Sequence, residues 1–289
     1  MPTHPHTVPY PEYISRLIPV PTPVRPGGAL RTPLRCILFD IYGTLFISGS
    51  GDIGTAMGQE ARIGLLESLI RRYHLNASPD RLREAFFEEV DKRHQKMKNQ
   101  GVDVPEVAYD TIWASVLPEL DPEVIRDFAV EYELIVNPVY PMPNLKPLLA
   151  GCRSRNLTLG IVSNAQFFTP LLFQWFLGDL PEALGFDPNL LFYSYRYGVA
   201  KPSPVLFGAA AAAVEEHGME TSEVLVIGND MLNDIYPGQR AGFQTALFAG
   251  DARSLRLRED SSVCKGLSPD LVVTDLSQLL DHLATLNGG

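Results

Sequence analysis

The chain has 289 residues, with 24 Lys and Arg against 34 Asp and Glu, a formal net charge of −10, and 45% hydrophobic residues. That composition excludes disorder throughout and suits a globular chain, of two domains or of one domain with a large insertion. The acidic balance excludes a general nucleic-acid binder, although it says nothing about a local cationic pocket. No apolar run reaches the roughly 18–20 residues that cross a bilayer. Cys36, Cys152 and Cys264 are too few and too far apart for a disulfide framework or a zinc site. A soluble cytoplasmic protein with buried thiols is expected.

Residues 1–33 carry nine prolines and one acidic residue, Glu12. Proline removes backbone donors and favours extended chain, so a flexible or surface-draped arm is expected there. A docking arm for a partner, anchored by Tyr10, Tyr13, Ile14 and Leu17, is the alternative. At Leu34 the pattern changes. The run Cys36–Phe39 predicts a buried parallel strand, ending on Asp40 and the turn-like Tyr42-Gly43-Thr44.

Residues 54–137 read as four helices with no strand between them. Ser78-Pro79-Asp80 is a helix start, and Pro105 and Asp121-Pro122 open two further helical stretches. Beyond Asn137-Pro138, strands and helices alternate to the end: LTLGIVSNA, LLFYSYR, EVLVIGND, FQTALFAG and DLVVT as strands, with helices between and after them. The fold class expected is α/β, a Rossmann-like three-layer parallel sheet with an inserted α-helical cap. The sheet takes residues 34–53 and 138–289, and the cap takes 54–137.

Four features fall at or just beyond the carboxyl ends of these elements, where open α/β sheets hold ligands. They are Asp40 in FDIYGT, Ser163-Asn164, Lys201 in VAKPSP, and the acids of Gly228-Asn229-Asp230-Met231-Leu232-Asn233-Asp234. A carboxylate nucleophile, hydroxyl and ammonium donors, and clustered acids around a hard cation suit one chemistry, hydrolysis through a covalent intermediate.

In this order the motifs resemble the haloacid dehalogenase superfamily of hydrolases, over about residues 34–287. The resemblance implies Asp40 as nucleophile and metal ligand, the carbonyl of Tyr42 as a further ligand, and Thr44 as support for the loop. It implies that Ser163 and Asn164 hold a substrate oxygen and that Lys201 pairs with Asp40 and the substrate anion. Asp230 and Asp234 complete a Mg²⁺ site. The register of the fourth motif stays open, because Asn229 or Asp230 takes the place of its first acid; Asp234 fits either alignment.

Two departures pull in opposite directions. Tyr42 stands where phosphatases of the superfamily usually carry an acid–base Asp, and a phenol is a poor base at neutral pH. The string D-x-Y-G-T-L-F resembles the 2-haloacid dehalogenase branch, which runs without a metal. The acids Asp230 and Asp234 argue instead for Mg²⁺ and phosphoryl chemistry. The reading favoured from sequence is Mg²⁺-dependent hydrolysis of a small phosphorylated anion by a monomer or homodimer. Metal-independent dehalogenation and a catalytically idle binding role are the alternatives. Substrate identity is assigned to the cap loops and Phe46–Gly54, with Gly49, Gly51 and Gly54 as a hinge. Tyr109 and Trp113 are candidate substrate contacts, although cap-core packing is the simpler role for both. The aromatic run Phe167–Phe176 is expected in core packing or at an interface.

Overall fold

The computed structural model describes residues 13–49 and 59–286, with backbone only at 59–61 and 284–286. Tyr10, Gly51, Gly54 and the expected start of the helical insertion at residue 54 lie outside the described residues. In chain order the strands are β1 (Gly27–Gly28), β2 (Cys36–Phe39), β3 (Phe46–Ser48), β4 (Val139–Pro141), β5 (Thr158–Ser163), β6 (Phe186–Tyr193), β7 (Val224–Gly228), β8 (Gln244–Phe248) and β9 (Leu271–Val273). The helices are α1 (Gln59–Arg72), α2 (Pro79–Asn99), α3 (Tyr109–Val116), α4 (Pro122–Val136), α5 (Leu145–Ser154), α6 (Thr169–Leu177), α7 (Ser194–Tyr197), α8 (Pro204–Glu216), α9 (Tyr236–Arg240) and α10 (Leu276–Leu286).

Seven strands form one sheet in the order β1-β9-β8-β7-β2-β5-β6. All neighbours are parallel except β1 and β9. The central strand β2 is wholly buried, and its two faces divide strictly by parity. Ile37 and Phe39 join the apolar cluster that contains α5 and α10, whereas Cys36 and Leu38 join the one that contains α8. This is the two-residue period of a strand covered on both faces, and it makes a three-layer α/β fold. Among the described residues no helix is long and apolar enough to cross a membrane.

Helices α1–α4 are inserted between β3 and β4, which pair antiparallel as a separate two-stranded ribbon. The ribbon was not foreseen from sequence, since three residues per strand are too few to show a period. The Gly49 N–H donates to Pro138 O at 2.8 Å and extends the tie between the two crossings. Ser78 caps α2 as expected, accepting from the Arg81 N–H at 3.3 Å. Helix α3 starts at Tyr109, four residues after Pro105. Its first N–H is taken by the Gln166 side chain at 2.9 Å, so the sheet half of the molecule sets this helix start. The segment LLFYSYR is strand only to Tyr193, and Ser194–Tyr197 turn into α7.

The described part of the proline-rich arm is pinned along the molecule. Tyr13 and Leu17 are buried in the main apolar cluster. The Tyr13 hydroxyl donates to Glu131 Oε2 of α4 at 3.0 Å, and Arg72 and Tyr73 donate to the same carboxylate. Further along, the Val20 N–H reaches Asp251 Oδ1 at 3.1 Å and Thr22 Oγ1 reaches Ala249 O at 2.6 Å. The arm thus links α4 to the β8–β9 side of the sheet. Truncation of a buried aromatic leaves a cavity, so Tyr13→Ala is expected to lower the unfolding free energy by about 3 kcal/mol. Tyr13→Phe, which loses one hydrogen bond, is expected to lower it by about 1 kcal/mol. Urea denaturation checks both, and an unchanged midpoint for Tyr13→Ala contradicts the pinning.

Candidate active site

Asp40 follows β2 directly, and its N–H is held by Ile227 O of β7 at 2.9 Å. The chain then turns sharply: the N–H groups of Thr44, Leu45 and Phe46 all converge on Ile41 O. Gly43 has φ +86°, and an added Cβ there would lie 2.6 Å from Ser254 and 2.7 Å from Asn229, so the turn accepts no side chain.

Three loops from neighbouring strands meet the Asp40 carboxylate. Its Oδ1 accepts from Lys201 Nζ at 2.7 Å and from Ser163 Oγ at 2.9 Å. Its Oδ2 accepts from Thr44 Oγ1 at 3.2 Å, and that hydroxyl also lies 3.2 Å from Asn229 Oδ1. Ser163 and Thr44 are fully buried, and Asp40 and Lys201 nearly so. Asn164 does not touch this carboxylate. Its Oδ1 accepts from the Lys201 N–H at 2.7 Å and its Nδ2 faces Lys201 O at 3.4 Å, so it fixes the lysine backbone.

Lys201 Nζ is also 2.6 Å from Asp234 Oδ1 and 3.1 Å from Val162 O. Burial pulls its proton affinity down, but Asp234 and Asp40 outweigh that and hold the ammonium above the usual lysine range. Burial pushes the Asp234 carboxyl above its ordinary value, and the neighbouring carboxylates Asp40 and Asp230 add to this while Lys201 opposes it. Gly228 is what admits Asp234 beneath the end of β7: an added Cβ would lie 2.2 Å from the Asp234 carboxyl carbon.

The fourth motif winds as a π-helical turn, Met231–Ile235, and this turn decides where its acids point. Asp230 is not brought to the Asp40 cluster. Its carboxylate caps the turn through the N–H groups of Leu232 and Asn233, at 2.8 and 3.3 Å. Arg258 takes both of its oxygens, with Nη2 2.6 Å from Oδ2 and Nε 3.0 Å from Oδ1. Asn229 turns inward instead, to Thr44 on one side and to Ser254 O on the other.

This disposition bears on the expected Mg²⁺. Mg²⁺ takes hard, negatively charged oxygens held around it. Here Asp234 is committed to Lys201 and to the Asp230 N–H at 2.9 Å, and Asp230 is committed to Arg258. The position facing Thr44 is a neutral amide. Among the described residues no group of three or more His, Cys, Asp or Glu converges as a metal site. The carboxylates as they stand do not fit a magnesium centre.

The Tyr42 hydroxyl lies 3.0 Å from Thr169 Oγ1 at the start of α6. Burial, with Glu133 nearby, pushes its phenol well above the ordinary tyrosine range, so it is no base. Its ring lines a cavity of about 640 Å³ between the sheet and α1–α4. Asn164, Ala165 and Gln166 line the same cavity, and aromatic side chains including Tyr109 and Trp113 wall it. Phe168, Phe173 and Trp175 of the aromatic run are buried.

Arg62, Glu133 and Arg258 were missed from sequence. Nε and Nη2 of Arg62 are buried without a hydrogen-bond partner among the described residues, and the side chain lines the cavity.

The comparisons agree with this architecture. A family model, haloacid dehalogenase-like hydrolase, matches residues 34–242, and the chain belongs to that family. No curated protein sequence matches it. Among solved structures it is similar to a 2-haloacid dehalogenase from Pseudomonas syringae pv. Tomato DC3000, at 19% identity over 87% of this chain and 99% of that one, with a TM-score of 0.55. It is similar to the L-2-haloacid dehalogenase RSc1362, at 16% identity over 88% and 100%, with a TM-score of 0.52. A HAD phosphatase from Thermococcus onnurineus aligns at 19% identity over 86% and 98%, with a TM-score of 0.49. At these identities the likeness to the two dehalogenases is one of fold.

The Lys201 pairs with Asp40 and Asp234 differ from the Arg258–Asp230 pair in what their loss exposes. Lys201→Met leaves two buried carboxylates facing each other and is expected to lower stability by about 3–5 kcal/mol. Asp230→Ala removes a helix cap and an ion pair whose arginine is partly exposed, and is expected to cost about 1–2 kcal/mol. Guanidinium denaturation ranks them, and an Asp230→Ala penalty equal to that of Lys201→Met contradicts the assignment.

Proposed function

We propose that this hydrolase acts through a covalent ester at Asp40 without a metal ion, on a 2-halocarboxylate or a like anion with a leaving group on the adjacent carbon. The observation that carries the reading is the charge balance of the three acids. Lys201 answers Asp40 and Asp234, and Arg258 answers Asp230, which leaves one net negative charge at the group of the nucleophile. The clustered acids that favour Mg²⁺ in the sequence have Lys201 and Arg258 as counter-ions, which supports the metal-free reading.

Oδ1 of Asp40 is held by Lys201 and Ser163, and among the described residues Oδ2 has only the longer Thr44 contact. Oδ2 is therefore the attacking oxygen. It forms a bond to the substrate carbon as the carbon–halogen bond breaks, and halide leaves with the electron pair, which needs no proton. Tyr42 in place of a proton donor suits such a leaving group. Water then attacks the ester carbonyl carbon. The negative charge that develops on Oδ1 meets Lys201 and Ser163, already in place. The Cγ–Oδ2 bond breaks, the departing alkoxide oxygen takes one proton of the attacking water, and the 2-hydroxy acid leaves while the other proton goes to solvent. Arg62, whose Nε and Nη2 have no hydrogen-bond partner among the described residues, supplies positive charge for the anion.

Chloride release from 2-chloropropionate in the presence of EDTA is the expected result, abolished by Asp40→Asn. Turnover of p-nitrophenyl phosphate that requires Mg²⁺, with no chloride release, overturns the reading in favour of a phosphohydrolase.

A further inference from the structure

The cavity holds a second ionisable group without a counter-ion among the described residues, the carboxyl of Glu133. Glu133 sits in the last turn of α4 and lines the cavity with Tyr42, Tyr109, Trp113 and Tyr132. Among the described residues its one hydrogen bond is to Oε1, from Asn137 Nδ2 at 3.0 Å. Among the described residues no basic side chain makes an ion pair with it or acts on its carboxyl, which burial holds above the usual range.

The other acids of the cavity differ. Asp80 at the rim has Arg83 at 3.4 Å. Glu106 accepts from Ser194 Oγ at 2.8 Å, Gln166 Nε2 at 3.3 Å and the Val107 N–H at 3.0 Å. Glu131, two residues before Glu133 on the same helix, is met by Arg72, Tyr73 and Tyr13. Among the described residues Glu133 stands out as the acid of this cavity with a single hydrogen bond and no ion pair.

The rings around it are well set. Trp113 packs against Tyr132 with centroids 4.7 Å apart, and Phe86 packs against Trp113 at 4.7 Å and Tyr109 at 5.1 Å. Packed rings keep their faces fixed, and ring faces attract alkylammonium groups. A carboxylate beside them completes the recognition of a cation, because the interaction is strong where water is excluded.

We propose that this cavity binds an ammonium group, held by the Glu133 carboxylate among the rings of Tyr42, Tyr109, Trp113 and Tyr132. Taken with Arg62, and resting on the reading of the cavity as the substrate site, this makes the substrate a zwitterion. Its anion faces Arg62, its ammonium group faces Glu133, and its apolar body lies along the rings.

Calorimetry with the full chain tests this without turnover. Phenethylammonium is expected to bind about tenfold or more tightly than its neutral isostere 2-phenylethanol. Glu133→Gln is expected to remove that preference and leave 2-phenylethanol binding unchanged, and Glu133→Asp to restore part of it. Equal binding of the two probes to the wild-type chain overturns the proposal, and needs no variant. So does a preference unchanged in Glu133→Gln. Neither probe carries a leaving group, so failure of Asp40 as nucleophile leaves the titration as it is.

Discussion

A single buried ammonium organises this molecule. Lys201 lies between Asp40 and Asp234, within 2.7 and 2.6 Å, where all three side chains are almost wholly out of water. An isolated charge in that position is strongly disfavoured, and a pair missing one member leaves the other exposed to the same penalty. The three groups therefore hold one another in place, and the loops that carry them are fixed as a consequence. Asn164 clamps the lysine backbone, and Gly228 leaves room for Asp234.

The sheet is what makes this convergence possible. β2, β5 and β7 are adjacent and parallel, so their carboxyl ends deliver Asp40, Ser163 and the fourth-motif turn to one edge. The insertion α1–α4 stands over that edge and shares its apolar cluster with one face of the sheet. The aromatic cavity lies where they meet, with the polar floor contributed by residues 164–166 and the charged side chains Arg62 and Glu133 contributed by the helices. Chemistry at Asp40 and recognition in the cavity are thus assigned to different parts of the chain.

Much of the architecture was legible in the sequence because its signals are local. Fully apolar runs such as Cys36–Phe39 and proline-led helix starts are set by a few neighbouring residues, and the superfamily followed from four motifs in order. The direction of the Asp230 carboxylate was not legible. Its partner, Arg258, is 28 residues further on, and the π-helical turn that aims it has no pattern of its own. The arm shows the same limit. Proline content marks residues 1–33 as extended, but only long-range contacts reveal that Tyr13 is buried against Glu131. Glu133 and Arg62 were hidden for another reason: on amphipathic helices a charged residue reads as solvated unless the opposite wall is known.

The central claim is that Asp40 carries the covalent intermediate with Lys201 alone as its cation. Turnover of 2-chloropropionate in H₂¹⁸O with EDTA, followed by mass spectrometry of the peptide containing Asp40, tests it most directly. Attack of water on the ester carbonyl predicts ¹⁸O in the Asp40 carboxylate after repeated turnover. Label found only in the released hydroxy acid, with Asp40 unlabelled, contradicts it.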